Sequence, residues 1–229
     1  MVARNEEKMK TKIQEIKAAH SGIECDYIIC DFSKFTTLSE YRELYSSKIG
    51  GLDIAVAVAN AGYALAGKFE DNEDDLLVTT MNINVLHVYY TMKVLSEQML
   101  KRDKRSAMII VSSQAAVRPF PMAVAYCAQK SFATFLAQGM ALEMGNRIDI
   151  MSFNPGSVAT KLIQKDKSQA GGIIVTVEKA VRTCLRDLGH GDFTFGTLNH
   201  ELAGWMVKMQ PLSLLKAASN ATSKEALDT

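Results

Sequence analysis

The sequence has no apolar run approaching the roughly 18 to 20 residues that a membrane-spanning helix needs. Its most apolar stretch, Ile54 to Gly67, is interrupted by Asn60, and the N-terminus opens on Arg4, Asn5, Glu6, Glu7 and Lys8 instead of a signal-peptide core. A chain without a membrane span, soluble and cytoplasmic as written, is expected. The four cysteines, at 25, 30, 127 and 184, make no Cys-x-x-Cys pair, which argues against a zinc site and against a disulfide framework. Excess charge of one sign is also lacking: 26 Lys and Arg face 25 Asp and Glu, so nucleic acid and anionic surfaces are not expected partners. His20, His87, His190 and His200 have no ligand spacing, and the run Glu70, Asp71, Glu73, Asp74, Asp75 lacks the glycine and closing glutamate of a calcium loop. No metal site is expected.

What is present suits one globular domain over residues 1–229, with a tail from about residue 200. Residues 3 to 20 carry Met9, Ile13 and Ile16 at helical spacing, and Gly22 sits where a left-handed cap would fall. Cys25 to Cys30, Leu52 to Ala59, Ala107 to Val111 and Ile148 to Phe153 are short apolar runs of the kind that buried parallel strands use. Helical patterns over about Leu76 to Leu100 and Ala123 to Met144 alternate with them, followed by a helix at Val177 to Leu188 and a short strand at Asp192 to Phe195. Strand and helix in turn, with turn residues at each strand's carboxyl end, predict a doubly wound α/β fold with a parallel sheet.

One spacing carries chemistry. Tyr126-Cys127-Ala128-Gln129-Lys130 puts a phenol and an ammonium four residues apart on one helix face. Chance alone yields about half a Tyr-x-x-x-Lys match in such a chain, and a second exists at Tyr89 and Lys93. What separates the two is Ser113, thirteen residues before Tyr126 at a predicted strand end, where Leu76 stands before Tyr89. Tyr89 and Lys93 are therefore assigned to a solvated helix face, and Cys30 and Cys127 to core packing.

Ser113, Tyr126 and Lys130, with Asn84 in the preceding helix, resemble the catalytic tetrad of the short-chain dehydrogenase/reductase family. Further marks of that family follow in order: Asp31 closing a strand, Asn60-Ala61-Gly62 after the next, and Asn154-Pro155-Gly156 with Thr160 after a later one. Arg4-Asn5, the run Met81 to Leu86 and Pro119-Phe120-Pro121 look like the branch that holds 17β-hydroxysteroid dehydrogenases and very-long-chain 3-oxoacyl-CoA reductases. The resemblance implies a Rossmann-like sheet and an NADP-dependent enzyme that reduces a keto group or oxidises a secondary alcohol on a hydrophobic, steroid or fatty-acyl substrate. It also implies association of copies through the long helices. A carbonyl accepting hydride needs a proton donor and a second donor to hold its oxygen, roles that fall to Tyr126 and Ser113. Lys130, by its charge, would favour the phenolate. By resemblance it also holds the nicotinamide ribose, while Asn84 keeps a water in a relay from Lys130. Asp31 would meet adenine, Asn60, Ala61 and Gly62 the adenosine, and Pro155, Gly156, Val158 and Thr160 the carboxamide and phosphate side. Arg4 would meet the 2′-phosphate, which favours NADP over NAD.

The sequence departs from the family in one respect. None of its fourteen glycines makes Gly-x-x-x-Gly-x-Gly or Gly-x-Gly-x-x-Gly, the loop that lets backbone approach a pyrophosphate. The expectation is a truncated fold without the first strand and that loop, with an apolar edge exposed at Ile54 to Ala59, an aggregation hazard. A longer parent could then belong to the endoplasmic reticulum. Two functional classes stand open: an oxidoreductase, or an inactive remnant that acts only by association with a partner chain.

Overall fold

The structure, a computed structural model, describes residues 1–160, 172–211 and 213. Residues 161–171, 212 and 214–229 lie outside it. In chain order the elements are β1 (Val2–Ala3), α1 (Glu6–Ala19), β2 (Ile28–Ile29), α2 (Leu38–Ile49), β3 (Val56–Ala59), α3 (Asp74–Met81), α4 (His87–Met99), β4 (Ser106–Val111), α5 (Val124–Met144), β5 (Ile148–Phe153), α6 (Val177–Asp187), β6 (Phe193–Thr194) and α7 (Leu198–Met209). All strand pairs are parallel, as the alternation of strand and helix predicted.

The strands form two sheets. β1 pairs with β2 alone, and a second sheet runs β3-β4-β5-β6. β3 is thus an edge strand, as expected, and a cavity of about 350 Å³ lies between the sheets, lined by Val2 and Ala3 on one side and Val56, Ala57 and Val58 on the other. Alternation decides which face each strand residue serves. Met108, Ile110, Ile148 and Ile150 enter the core shared with α2, α4 and α5. Ile109, Met151 and Phe153 point the other way, against Ala180 and Cys184 of α6. In β3, Ala57 and Ala59 are buried whereas Val56 and Val58 are 55% and 54% exposed.

Several boundaries differ from the sequence reading. The helix expected from residue 3 begins at Glu6, because Asn5 caps it by accepting from Lys8 N and because Val2 and Ala3 are drawn into β-pairing with Ile28 and Ile29. The run Cys25 to Cys30 contributes only those two paired residues. Helix α2 escaped the reading for want of an apolar stripe, yet its Thr37 and Glu40 form a reciprocal capping box that marks its start. Helix α7 falls in what the sequence suggested was tail. The Leu76 to Leu100 helix runs from Asp74 to Met99, with a π-helical segment at Asn82–Leu86 inside it. Among the described residues no helix is long and apolar enough to cross a membrane.

Candidate active site

The carboxyl ends of β3, β4 and β5 open into one cavity of about 680 Å³. Each strand delivers a short segment to it: Asn60, Ala61 and Gly62 after β3, Ser112, Ser113 and Gln114 after β4, and Pro155, Gly156, Val158 and Thr160 after β5. Helix α5 adds Tyr126 and Lys130 from one face, and Phe120, Phe153, Val177 and Val181 make much of the remaining wall apolar.

The Tyr126 hydroxyl shares the cavity with the Ser113 side chain, which accepts from Ala115 N at 3.1 Å. One turn on, Lys130 Nζ donates to Val111 O at 3.0 Å and lies 5.8 Å from the centroid of the Tyr126 ring. A lysine has three donors, so two N–H groups of this buried ammonium remain for whatever enters the cavity. Burial pulls Lys130 down to about 8. Burial likewise pushes the Tyr126 phenol up, with the nearby Ser113 side chain pulling the other way. On balance burial dominates at the phenol.

Polar groups behind the cavity hold α5 in place. Ser112 Oγ donates to Lys130 O at 2.8 Å, and the Thr134 hydroxyl lies 2.8 Å from Ser112 Oγ and 2.7 Å from Asn154 Oδ1. The turn that bears Lys130 is thus tied to the ends of β4 and β5. Gly156 is a close approach: a Cβ there would stand 2.7 Å from Gln114 Oε1 and 2.8 Å from His200 Cδ2.

Asn84 sits in the π-helical segment, fully buried. Its side-chain amide donates to Tyr63 O at 2.8 Å and to Gln129 Oε1 at 2.7 Å, and its Oδ1 accepts from Tyr63 N at 2.9 Å. Such segments inside α-helices are rare and frequent at functional sites.

The model of the short chain dehydrogenase family matches residues 1–171, three quarters of the chain and all the residues of the cavity up to Thr160. The chain belongs to the short-chain dehydrogenase family. Among curated relatives it is 29% identical over 233 residues to a very-long-chain 3-oxoacyl-CoA reductase of Anas platyrhynchos, covering 98% of this chain and 72% of that protein. It is 28% identical to a 17-beta-hydroxysteroid dehydrogenase type 3 of Danio rerio, over 95% of this chain and 70% of that protein. Solved structures agree on the fold. One from work on 7beta-hydroxysteroid dehydrogenase stereoselectivity matches with a TM-score of 0.79 at 22% identity, covering 96% of this chain and 85% of that one. A short-chain dehydrogenase from Sphingobium yanoikuyae, in complex with NADPH, matches with a TM-score of 0.74 at 17% identity, covering 100% and 85%.

In this short-chain dehydrogenase the cavity gathers most of the residues singled out in the sequence: Asn60, Ala61, Gly62, Ser113, Tyr126, Lys130, Pro155, Gly156, Val158 and Thr160. Asn84 reaches it from behind, beside Gly62. Arg4 and Asp31 are not among its lining residues; they follow β1 and β2, close enough for Arg4 to help lower the Asp31 carboxyl, whose main partner is the Ser33 hydroxyl at 2.8 Å. Tyr89 and Lys93 do lie on a solvent-facing side, Tyr89 46% exposed and Lys93 paired with Glu97 at 2.9 Å. Sequence reasoning missed Gln114, Gln129 and His200. Position next to Ser113 or Lys130 was the available signal for the two glutamines, and nothing local marked His200.

Proposed function

We propose that this chain is an NADP-linked oxidoreductase acting on the keto group or secondary alcohol of a hydrophobic steroid or fatty-acyl substrate. The observation that carries the reading is the meeting of Ser113, Tyr126 and, one helical turn on, Lys130 in one cavity, walled elsewhere by Phe120, Phe153, Val177 and Val181. The names of the curated relatives and the NADPH complex of a structural neighbour support the substrate class and the cofactor. Residues 1–229 are taken as one such unit.

The cavity fits a dinucleotide's nicotinamide half on two counts. Gly62 and Gly156 leave space that a Cβ would fill, and Lys130 keeps unspent donors there. Lys130 would hold the ribose hydroxyls, Val158 and Thr160 the carboxamide side, and Asn60 to Gly62 the adenosine side; Arg4 and Asp31 would act from the smaller sheet. The bound nicotinamide supplies or accepts the hydride. Tyr126 then gives its proton to the carbonyl oxygen, which Ser113 holds by a second hydrogen bond. A phenol raised by burial stays protonated at neutral pH, the state that reduction requires. As the proton leaves, the Lys130 charge offsets the growing phenolate. Gly62 keeps a side chain out of the region beside Lys130 Nζ and Asn84 Oδ1, from which its Cβ would stand 3.2 Å and 3.4 Å away, and a water relay between Lys130 and Asn84 is part of this reading. Copies associate through the long helices, a reading supported by exposed Tyr89, Phe135 and Leu142 on α4 and α5.

The test is Tyr126→Phe. Reduction of a very-long-chain 3-oxoacyl-CoA or a 17-ketosteroid by NADPH should fall by about a hundredfold or more, while NADPH binding followed by fluorescence stays within about twofold of the parent. Undiminished turnover in the phenylalanine variant overturns the assignment. Absence of both turnover and NADPH binding in the parent chain favours the second reading, a protein that acts by association.

A further inference from the structure

Three buried side chains from three segments form one hydrogen-bonded line that ends at the candidate site. Thr80 in α3, Gln129 in α5 and Asn84 in the π-helical segment are all nearly inaccessible to solvent. Gln129 Nε2 donates to Thr80 Oγ1 at 2.9 Å, Gln129 Oε1 accepts from Asn84 Nδ2 at 2.7 Å, and the Thr80 hydroxyl donates to Leu77 O at 3.0 Å.

The line has only one consistent direction. A backbone N–H can only donate, so the Asn84 atom facing Tyr63 N must be Oδ1. The Asn84 atom facing Gln129 is then the amide nitrogen, and Gln129 must answer with its oxygen. Its own nitrogen is left facing Thr80, whose hydroxyl can accept because it has spent its proton on Leu77 O. Reversing either amide would set donor against donor or acceptor against acceptor among buried side chains, at a cost of roughly 1 to 3 kcal/mol for each orphaned group.

We propose that Gln129 and Thr80 are positioning residues, which fix the Asn84 side chain with its oxygen toward Gly62 and Lys130. The inference rests on the reading of Asn84 as one end of a water relay from Lys130. It explains why a polar glutamine is buried directly before Lys130, at a position that touches neither the cavity wall nor solvent. Adjacent residues on a helix point apart: Lys130 faces the cavity and Gln129 faces Asn84 from behind it.

The experiment uses the full chain and four variants: Thr80→Val, which keeps the shape and removes the hydroxyl; Thr80→Ser, which restores it; and Gln129→Met and Gln129→Glu. A carboxylate at 129 can still accept from Asn84, with the Thr80 hydroxyl turned to donate to it, so the glutamate variant should keep Asn84 in place. The first readout is independent of turnover: hydrogen exchange of the Asn84 side-chain amide by nuclear magnetic resonance. Exchange should accelerate at least about tenfold in Thr80→Val and Gln129→Met and stay near the parent value in Thr80→Ser and Gln129→Glu. The second readout is the pH profile of kcat, whose inflection should move in the same two variants, with kcat down about ten- to hundredfold and KM for NADPH little changed. If the parent shows no turnover, the oxidoreductase reading fails and the exchange measurement alone decides the positioning role. Unchanged Asn84 exchange in Thr80→Val and Gln129→Met overturns the proposal, as does an unmoved pH profile in a parent that turns over.

Discussion

The Cβ that Gly62 lacks would stand 3.2 Å from Lys130 Nζ. A methyl group there meets the ammonium at less than ordinary contact distance and also fills the space beside Asn84 Oδ1. Gly62→Ala should therefore leave the fold largely intact, since the far end of a lysine can shift, but displace the ammonium. Turnover is expected to fall by about a hundredfold, and a thermal melt should stay within a few degrees of the parent. Full activity in Gly62→Ala would show that nothing needs the space.

Lys130 carries a second prediction, about stability. Burial depresses its folded-state value from 10.5 to about 8, so between these two values the unfolded chain binds a proton that the folded chain does not. Stability should then rise with pH from about 8 to 10.5, by up to roughly 3 kcal/mol. Lys130→Met should flatten that rise, stabilise the chain at neutral pH and abolish turnover. Urea titrations at pH 7.5 and 10 for both proteins check the sign.

At the acid end the group to watch is His87. Its ring stacks on Phe32 with centroids 3.6 Å apart, its Nδ1 lies 3.1 Å from Thr91 Oγ1, and burial lowers it from 6.5 to about 3. The unfolded chain takes up a proton below 6.5 that the folded chain refuses, so stability is full above that pH and declines as pH falls toward 3. The part due to His87 reaches at most about 5 kcal/mol. His87→Phe should make the decline shallower, with the remaining slope set by carboxylates such as Glu97. Identical acid titrations in the two proteins would count against this assignment.

Met122 is the one described non-glycine residue with a left-handed backbone, at φ 62°. It lies two residues before α5, and its carbonyl accepts from Gly67 N at 2.8 Å. That conformation costs a side-chain-bearing residue roughly 1 to 2 kcal/mol, so Met122→Gly should stabilise the chain by about 1 kcal/mol and Met122→Val should destabilise it. Chemical denaturation of the two variants measures both signs.

The sequence by itself determined the strands β4 and β5, the long helix α5 and the spacing that sets Ser113, Tyr126 and Lys130 in one cavity. These follow from local causes: apolar runs, an alanine-rich stretch of good helix formers, and turn residues at strand ends. Tertiary structure decided what depends on distant partners. Whether β1 and β3 share a sheet turns on what lies between them, and the split into two sheets separates Arg4 and Asp31 from the cavity that gathers the other residues. The burial that raises Tyr126 and lowers Lys130 comes from walls contributed by six segments. Gln129 meets Thr80 across 49 residues and Asn84 across 45, and no local pattern announces such a pairing. It arises because a buried amide must find its donors and acceptors within the packed interior, and packing alone settles which residues those are.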